Sequence, residues 1–409
     1  MKNRQVKKKV LYKGCLLLLL TVLSVPTMAQ KKEIQTARDL VKSGKNLATA
    51  QNSMEKLLKD SVNRGNKKIW KVLYDAVLKQ YEQGNEKLYL KEKYDTATWF
   101  GHARQLFTVA QSLDSVDALP DKKGRVEMEY RKSHAAYLSQ IRKNLYTGAN
   151  WLLRKQKYAD AYRFFDTYIE TASAPLFRDY DYKKNDRRLP EASYWAVYCG
   201  YKMQNAKATL HHAYEALKDT AHYEYMMQYL AETYKLEKDT LRYEQTLKDG
   251  FSHAPEFPFF FPRLIELYTH RGQQDAALAL TEKALQTNPK NKNFLFAQSS
   301  LLLELGKNRE SLEVTKTLLD GDDVPADLYY NAGIACYNMA VEKEKEAKTK
   351  KEQKEVVRLY KDAKPYMEEY RKLEPKESGK WALPLYTIYL NLNMGTEFDE
   401  MDRLLKNNK

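Results

Sequence analysis

A 34-residue period constrains this 409-residue chain more than any other feature. From Glu224 onward, bulky residues recur at Met227, Phe261, Leu295 and Tyr329. Seven positions after each come Tyr234, Tyr268, Leu302 and Cys336, and between them lie Ala231, Ile265, Ser299 and Gly333. Residues 261–289 show what one period contains. Phe261, Leu264, Ile265 and Tyr268 share one helical face, Gly272 marks a turn, and Ala277, Leu280, Thr281 and Ala284 repeat the spacing before Pro289 stops the helix. Two short amphipathic helices cannot bury their apolar faces alone. A fixed period of this size therefore predicts a stack of such pairs, each covering its neighbours. Small residues at the closest crossing let two helices approach, and large ones fill the gaps.

These residues resemble the tetratricopeptide repeat family. The segment ADLYYNAGIACYN, 326–338, matches that family's first helix at its aromatic and its Gly; AALALTEKALQTNP, 276–289, matches the second helix at its Ala, Ala and Pro. The segment 360–375 supplies the second helix of the unit opened at Ala326, with Ala363, Met367, Tyr370 and Pro375 in place. The resemblance implies an all-α fold, a right-handed α-solenoid (superhelix) of antiparallel helix pairs. Ile265 in a small-residue slot and Tyr243 where Ala is usual affect local packing angles, not the fold. The chain then divides into a leader at 1–29, divergent helical repeats at 30–125, the repeat solenoid at 126–377 and terminal capping helices at 378–409. Within the solenoid, 173–189 is expected to be an exposed loop. About 341–358 is an insertion without Gly or Pro, rich in Glu–Lys pairs at i, i+4, and predicts an elongated charged helical hairpin, a docking arm or a spacer.

The leader reads as a secretory signal peptide. Lys2, Arg4, Lys7, Lys8, Lys9 and Lys13 precede an apolar run centred on Leu16–Leu20, and Thr27-Met28-Ala29 supplies the small–x–small cleavage pattern. The apolar run is shorter than the ~20 residues that span a bilayer. Cleavage after Ala29 predicts an exported protein of the periplasm or cell envelope. Cys15 precedes the apolar run rather than ending it, so the protein is not read as a lipoprotein. Cys199 and Cys336 remain, 137 residues apart and expected as buried thiols. Of the formal charge of +15, six positive residues leave with the leader, which leaves about +9 spread over both signs. Export and this even mixture argue against nucleic acid.

The search for chemistry finds little. H-E-x-x-H, C-x-x-C, G-x-S-x-G and glycine-rich phosphate loops are all missing from the sequence. His211, His212 and His222 form the one histidine cluster, but neighbours on a continuous helix point about 100° apart, so His211 and His212 are not expected to share a metal. Asp114, Asp117 and Asp121 read as helix-end and turn residues. No catalytic, cofactor-binding or metal residue is assigned, and no enzyme activity is expected.

What remains is a surface. The resemblance implies a concave face, lined by first helices, that takes an extended peptide or partner segment. Carried onto this chain, it selects Tyr225, Phe259, Phe296, Tyr330 and Tyr337. The Lys/Asn/Arg clamp of relatives that grip acidic chaperone tails is replaced here by Gln228/Glu232, Phe296/Ser300 and Tyr330/Ile334. The expected function is therefore a non-enzymatic scaffold for a protein or peptide partner, peripherally associated with an envelope complex and with no membrane span after the leader. The alternative is a glycan-binding protein of the cell envelope that uses the same aromatics, since tyrosine suits both ligands.

Overall fold

Short polar side chains and left-handed turn residues cut this chain into helices. The computed structural model describes residues 28–121, 123–320 and 323–407; the leader lies outside the described residues except for its last two. The described elements are helical, with no strand among them. Two compact units contain them, one ending at Tyr243 and the other beginning at Glu244.

The first unit begins with α1 (28–43), α2 (Leu47–Leu58), α3 (Lys67–Tyr89) and α4 (Thr96–Asp117). Asn66 caps α3 through Lys68 N–H, and Asp95 caps α4 through the amides of Ala97 and Thr98. Then come α5 (Arg131–Ile141), α6 (Lys143–Arg154), α7 (Tyr158–Glu170) and the single turn α8 (Tyr182–Asn185). The unit ends with α9 (Leu189–Lys202), α10 (Ala206–His211), the single turn α11 (Ala213–Ala216) and α12 (Tyr223–Leu236). One buried core runs through it from Ile34 to Cys199.

The boundary falls inside α13 (Thr240–His253). The second unit holds the pairs α14 (Phe260–His270) with α15 (Gln274–Thr287), and α16 (Lys292–Glu304) with α17 (Asn308–Leu319). It ends with α18 (Ala326–Glu346) against α19 (Lys350–Leu373), and α20 (Ser378–Asn391) with α21 (Gly395–Asn407). Ile265 fits its small-residue slot by packing on Ala277, Leu278, Leu301 and Leu302.

The 34-residue period is written into the backbone. Gln204, Lys238, Gly272 and Gly306, each 34 apart, all hold positive φ (53°, 59°, 67° and 72°), and each turns one helix of a pair into the next. A side chain strains this conformation and glycine does not. The next position in register, Ala340, is helical instead: α18 continues to Glu346, and Thr349 with Glu352 forms a capping box that starts α19.

Two departures correct the sequence reading. Residues 173–189 keep most of their charged side chains exposed, as expected, but they are not an unstructured loop. Pro175–Tyr180 is a 3-10 helix that buries Leu176 and Phe177, with Phe177 5.9 Å from the Phe107 ring. What holds it is Arg142, itself buried at the break between α5 and α6. Its guanidinium donates to Asp186 (2.6 Å), Thr171 Oγ1 (2.7 Å) and the Tyr168 carbonyl (3.1 Å), between the rings of Tyr168 and Tyr182. The second departure is at His212, where φ −107° and ψ 12° interrupt the helix between α10 and α11. Cys199 and Cys336 are free and buried, and burial pushes their thiols up to about 12 and about 11.

Candidate functional site

The sequence SYWAVYCGYK places Tyr194, Tyr198 and Tyr201 at i, i+4 and i+7 on α9, one helical face. On α12, Tyr225 and Tyr229 are also i, i+4, with Glu232 three residues further on. The two faces interlock. Tyr229 is buried, and its ring stands 6.1 Å from Tyr194, 5.7 Å from Tyr198 and 4.5 Å from Tyr201, stacked on the last. Trp195 meets Tyr194 and Tyr198 edge-on at 4.9 and 5.7 Å. His222 stacks on Tyr194 at 4.3 Å and pairs with Asp219.

Exposure grades along this ladder. Tyr194 and Tyr229 belong to the core, Trp195, Tyr198 and Tyr201 are half-buried, and Tyr225 is 48% exposed. The Tyr201 hydroxyl donates to Glu232; burial, with that carboxylate beside it, pushes the phenol up to about 12. Beside this pair opens a cleft of about 320 Å³, lined by Lys202, Gln204, Asn205 and Thr209 on one side and Thr233 and Leu236 on the other. Ring faces, amide groups and a carboxylate within one cleft suit a peptide, which offers backbone donors and acceptors together with apolar side chains.

The residues singled out from sequence fare differently. Tyr225 lies in the first unit, at the exposed end of this ladder. The other four lie in the second. Phe259 is not a groove residue: it is 5% exposed, packs edge-on against Phe260 and carries the Arg263 guanidinium 3.7 Å from its ring. It stands 34 residues after Tyr225, but α14 starts at Phe260, so Phe259 precedes the helix whereas Tyr225 is already within α12. Tyr330 and Tyr337 are half-buried against α19, 5.1 Å from Tyr370 and 6.3 Å from Tyr360. Phe296 on α16 is half-buried. The α9 rungs were missed because the strict 34-residue register begins only at Glu224; their own i, i+4, i+7 spacing was the available signal.

The acidic residues at 114–121 serve as turn and helix-end groups. Asp114 takes a bidentate pair from Arg131 (2.7 and 2.8 Å), Asp117 accepts from the Tyr130 amide and pairs with Lys67, and Asp121 accepts from the amides of Lys123 and Arg125. The histidines differ from expectation. Because the helix breaks at His212, the His211 and His212 rings converge, with centroids 4.3 Å apart, and Asp166 of α7 joins them.

None of the described helices is long and apolar enough to cross a membrane. A family model described as tetratricopeptide repeat matches residues 195–355, which include most of α9 and all of α12. No curated protein matches the chain. Among solved structures, the chain is similar to the tetratricopeptide repeat domain of P58(IPK), at 13% identity over 93% of this chain and 99% of that one, TM-score 0.26. It is also similar to a circular tandem repeat protein with a novel repeat topology, at 13% identity over 93% and 94%, TM-score 0.20. Repeats of this kind generally mediate contacts between proteins, and the matched segment, residues 195–355, belongs to the tetratricopeptide repeat family.

Proposed function

We propose that this protein is an exported, non-enzymatic scaffold of the periplasm or cell envelope that holds a protein partner by an extended segment. The segment lies along the first helices of the repeats, over Tyr225, Tyr198 and Tyr201 and into the cleft beside Glu232. One observation carries the reading: a graded tyrosine ladder, fixed by the core at Tyr194 and Tyr229 and open at Tyr225, stands beside a polar cleft inside the family-matched repeats. Rings already held by packing lose little entropy on binding. The basic leader with its cleavage pattern supports export, and the position of Cys15 supports a protein without a lipid anchor.

The test places a photocrosslinker at Tyr225 of the chain expressed with its leader, followed by fractionation and identification of adducts. A discrete adduct in the envelope fraction is expected, lost when Trp195→Ala and Tyr201→Ala are combined while the far-ultraviolet circular dichroism is unchanged. Adducts that persist in the double variant, or a chain recovered only from the cytoplasm with its leader intact, would overturn the proposal.

A further inference from the structure

Asp166 sits in the last half of α7, and the α10–α11 break faces it. We propose that Asp166, His211 and His212 bind a zinc-class divalent transition metal ion. One ligand atom from each of the three lies within 4.8 Å of the other two. His212, buried, already holds Asp166 Oδ1 at 2.7 Å from its Nε2. That contact uses a single imidazole. The second converges on the same point only because the backbone departs from helical geometry at His212; on an unbroken helix the two rings would diverge.

The donor set selects the ion. Two imidazole nitrogens and one carboxylate oxygen suit zinc and its neighbours, whereas calcium and magnesium take oxygen shells. Bonds near 2 Å in a tetrahedral shell set ligand atoms about 3.3 Å apart. The Asp166–His212 contact is shorter than this and the outer limit of the cluster is longer. Side-chain rotation closes the shell: the carboxylate steps back from His212 and the exposed His211 swings in. The ion would tie α7 to the α10–α11 segment across 45 residues of chain.

Three protein ligands leave a fourth position. The two histidines line a cleft of about 460 Å³, together with Glu170, Ser115, Ser173 and Leu176. Glu170, one turn beyond Asp166, is a further oxygen donor at this rim; burial and the neighbouring Asp166 charge push its carboxyl up. Asp114 also lines the cleft, but its carboxylate is committed to Arg131. A fourth ligand from water or from a bound molecule would enter from this side.

The experiment titrates the leader-free chain, carrying no affinity tag, with zinc chloride by calorimetry and with cobalt chloride by visible absorption. One zinc per chain, the d–d bands of tetrahedral cobalt and a zinc-dependent rise in Tm are expected. His211→Ala and Asp166→Asn should each weaken zinc binding more than about tenfold. His270→Ala, in the second unit, should leave it unchanged. His211 is exposed, so its variant keeps the fold even if the buried Asp166–His212 contact proves necessary for folding. No zinc binding by the parent chain would overturn the proposal, as would binding and a Tm rise that survive in His211→Ala.

Discussion

Replacing Asp186 by Ala should destabilise the first unit by leaving a buried charge without its partner. The change leaves the Arg142 guanidinium, whose side chain is 7% exposed, without its counter-ion. Breaking a buried pair by removing one partner costs about 3–5 kcal/mol. Arg142 keeps two neutral acceptors, Thr171 Oγ1 and the Tyr168 carbonyl, and two ring faces at 3.7 and 4.0 Å. Those contacts place the loss toward the low end of that range, although the Tyr168 hydroxyl also loses its acceptor, worth about 1 kcal/mol. The expected loss is therefore about 3 kcal/mol. Repeat arrays unfold in parts, so the measurement is hydrogen exchange over peptides spanning 142–186, not a single global midpoint. The double replacement Arg142→Met, Asp186→Leu should return to within about 1 kcal/mol of the parent, because it removes the charge together with its counter-charge. Acid should reproduce the single variant. Burial pushes the Asp186 carboxyl up, but the hydrogen bonds from Tyr168 and Arg142 outweigh it and hold the carboxyl below its usual range. Its stabilisation is thus complete above the unfolded carboxyl pKa and fades as pH falls through the lower, folded one. A local loss under about 1 kcal/mol in Asp186→Ala would show that the Arg142 cluster does not hold residues 173–189 in place.

Three further outcomes follow from the same geometry. A Cβ at Gly200 would stand 2.4 Å from Thr209 N and 2.7 Å from Ala208 C, so Gly200→Ala must push α10 off α9 and cost about 1–3 kcal/mol in hydrogen exchange over those helices, whereas Gly101→Ala, which meets no neighbouring element within 4 Å, should gain about 0.5–1 kcal/mol in α4. Lys238→Gly relieves a left-handed lysine in the repeat turn and should raise local stability by up to about 1 kcal/mol, read from hydrogen exchange over the two helices that flank the turn, while Gly272→Ala should lower it at its own turn. Burial of His134 between Tyr74 and Tyr130, with Lys71 nearby, depresses its imidazole to about 4, so the first unit should lose about 3 kcal/mol as pH falls from about 6.5 to 4; His134→Phe should remove that window from pH-dependent hydrogen exchange.

The helix pairs were legible because their signals are local and repeated. Gly272 and Gly306 mark turns by themselves, and Pro289 and the apolar spacing bound the helices between them. Gln204 and Lys238 occupy the same turn without any residue that announces it; the 34-residue period of the sequence reaches Lys238 but begins after Gln204. The site was less legible, for reasons of register. Carrying Tyr225 forward by one period lands on Phe259, yet α14 starts later in its repeat than α12, and that shift turns a surface position into a core one. Residues 173–189 carry five basic and three acidic side chains and look solvated. Most of those side chains are solvated, but the segment is anchored by Leu176, Phe177 and an arginine 44 residues upstream of Asp186, a pairing that no local pattern encodes. The break at His212 lacks any Gly or Pro, so the sequence there reads as continuous helix, in which neighbouring histidines diverge.

These departures from repeat regularity meet on one helix. A second helix of an ordinary pair needs only an apolar face, and α7 has one in Ala161, Phe164 and Phe165. Its final turns do more. Asp166 reaches His212, Tyr168 offers its carbonyl and ring to Arg142 and its hydroxyl to Asp186, and Glu170 lines the cleft beside the histidines. Each contact ends on a segment that breaks the period: the α5–α6 junction, residues 173–189, or the α10–α11 junction. Propensity and pattern alone would have made all three continuous helix or solvated loop. Chains keep such local inconsistencies where the site requires them, and the rest of the fold must offset their cost. The regular repeats of the second unit show that this chain can build pairs without them. The irregular end of α7 is therefore where the Arg142 cluster and the proposed Asp166–His211–His212 site both depend on departures from the repeat.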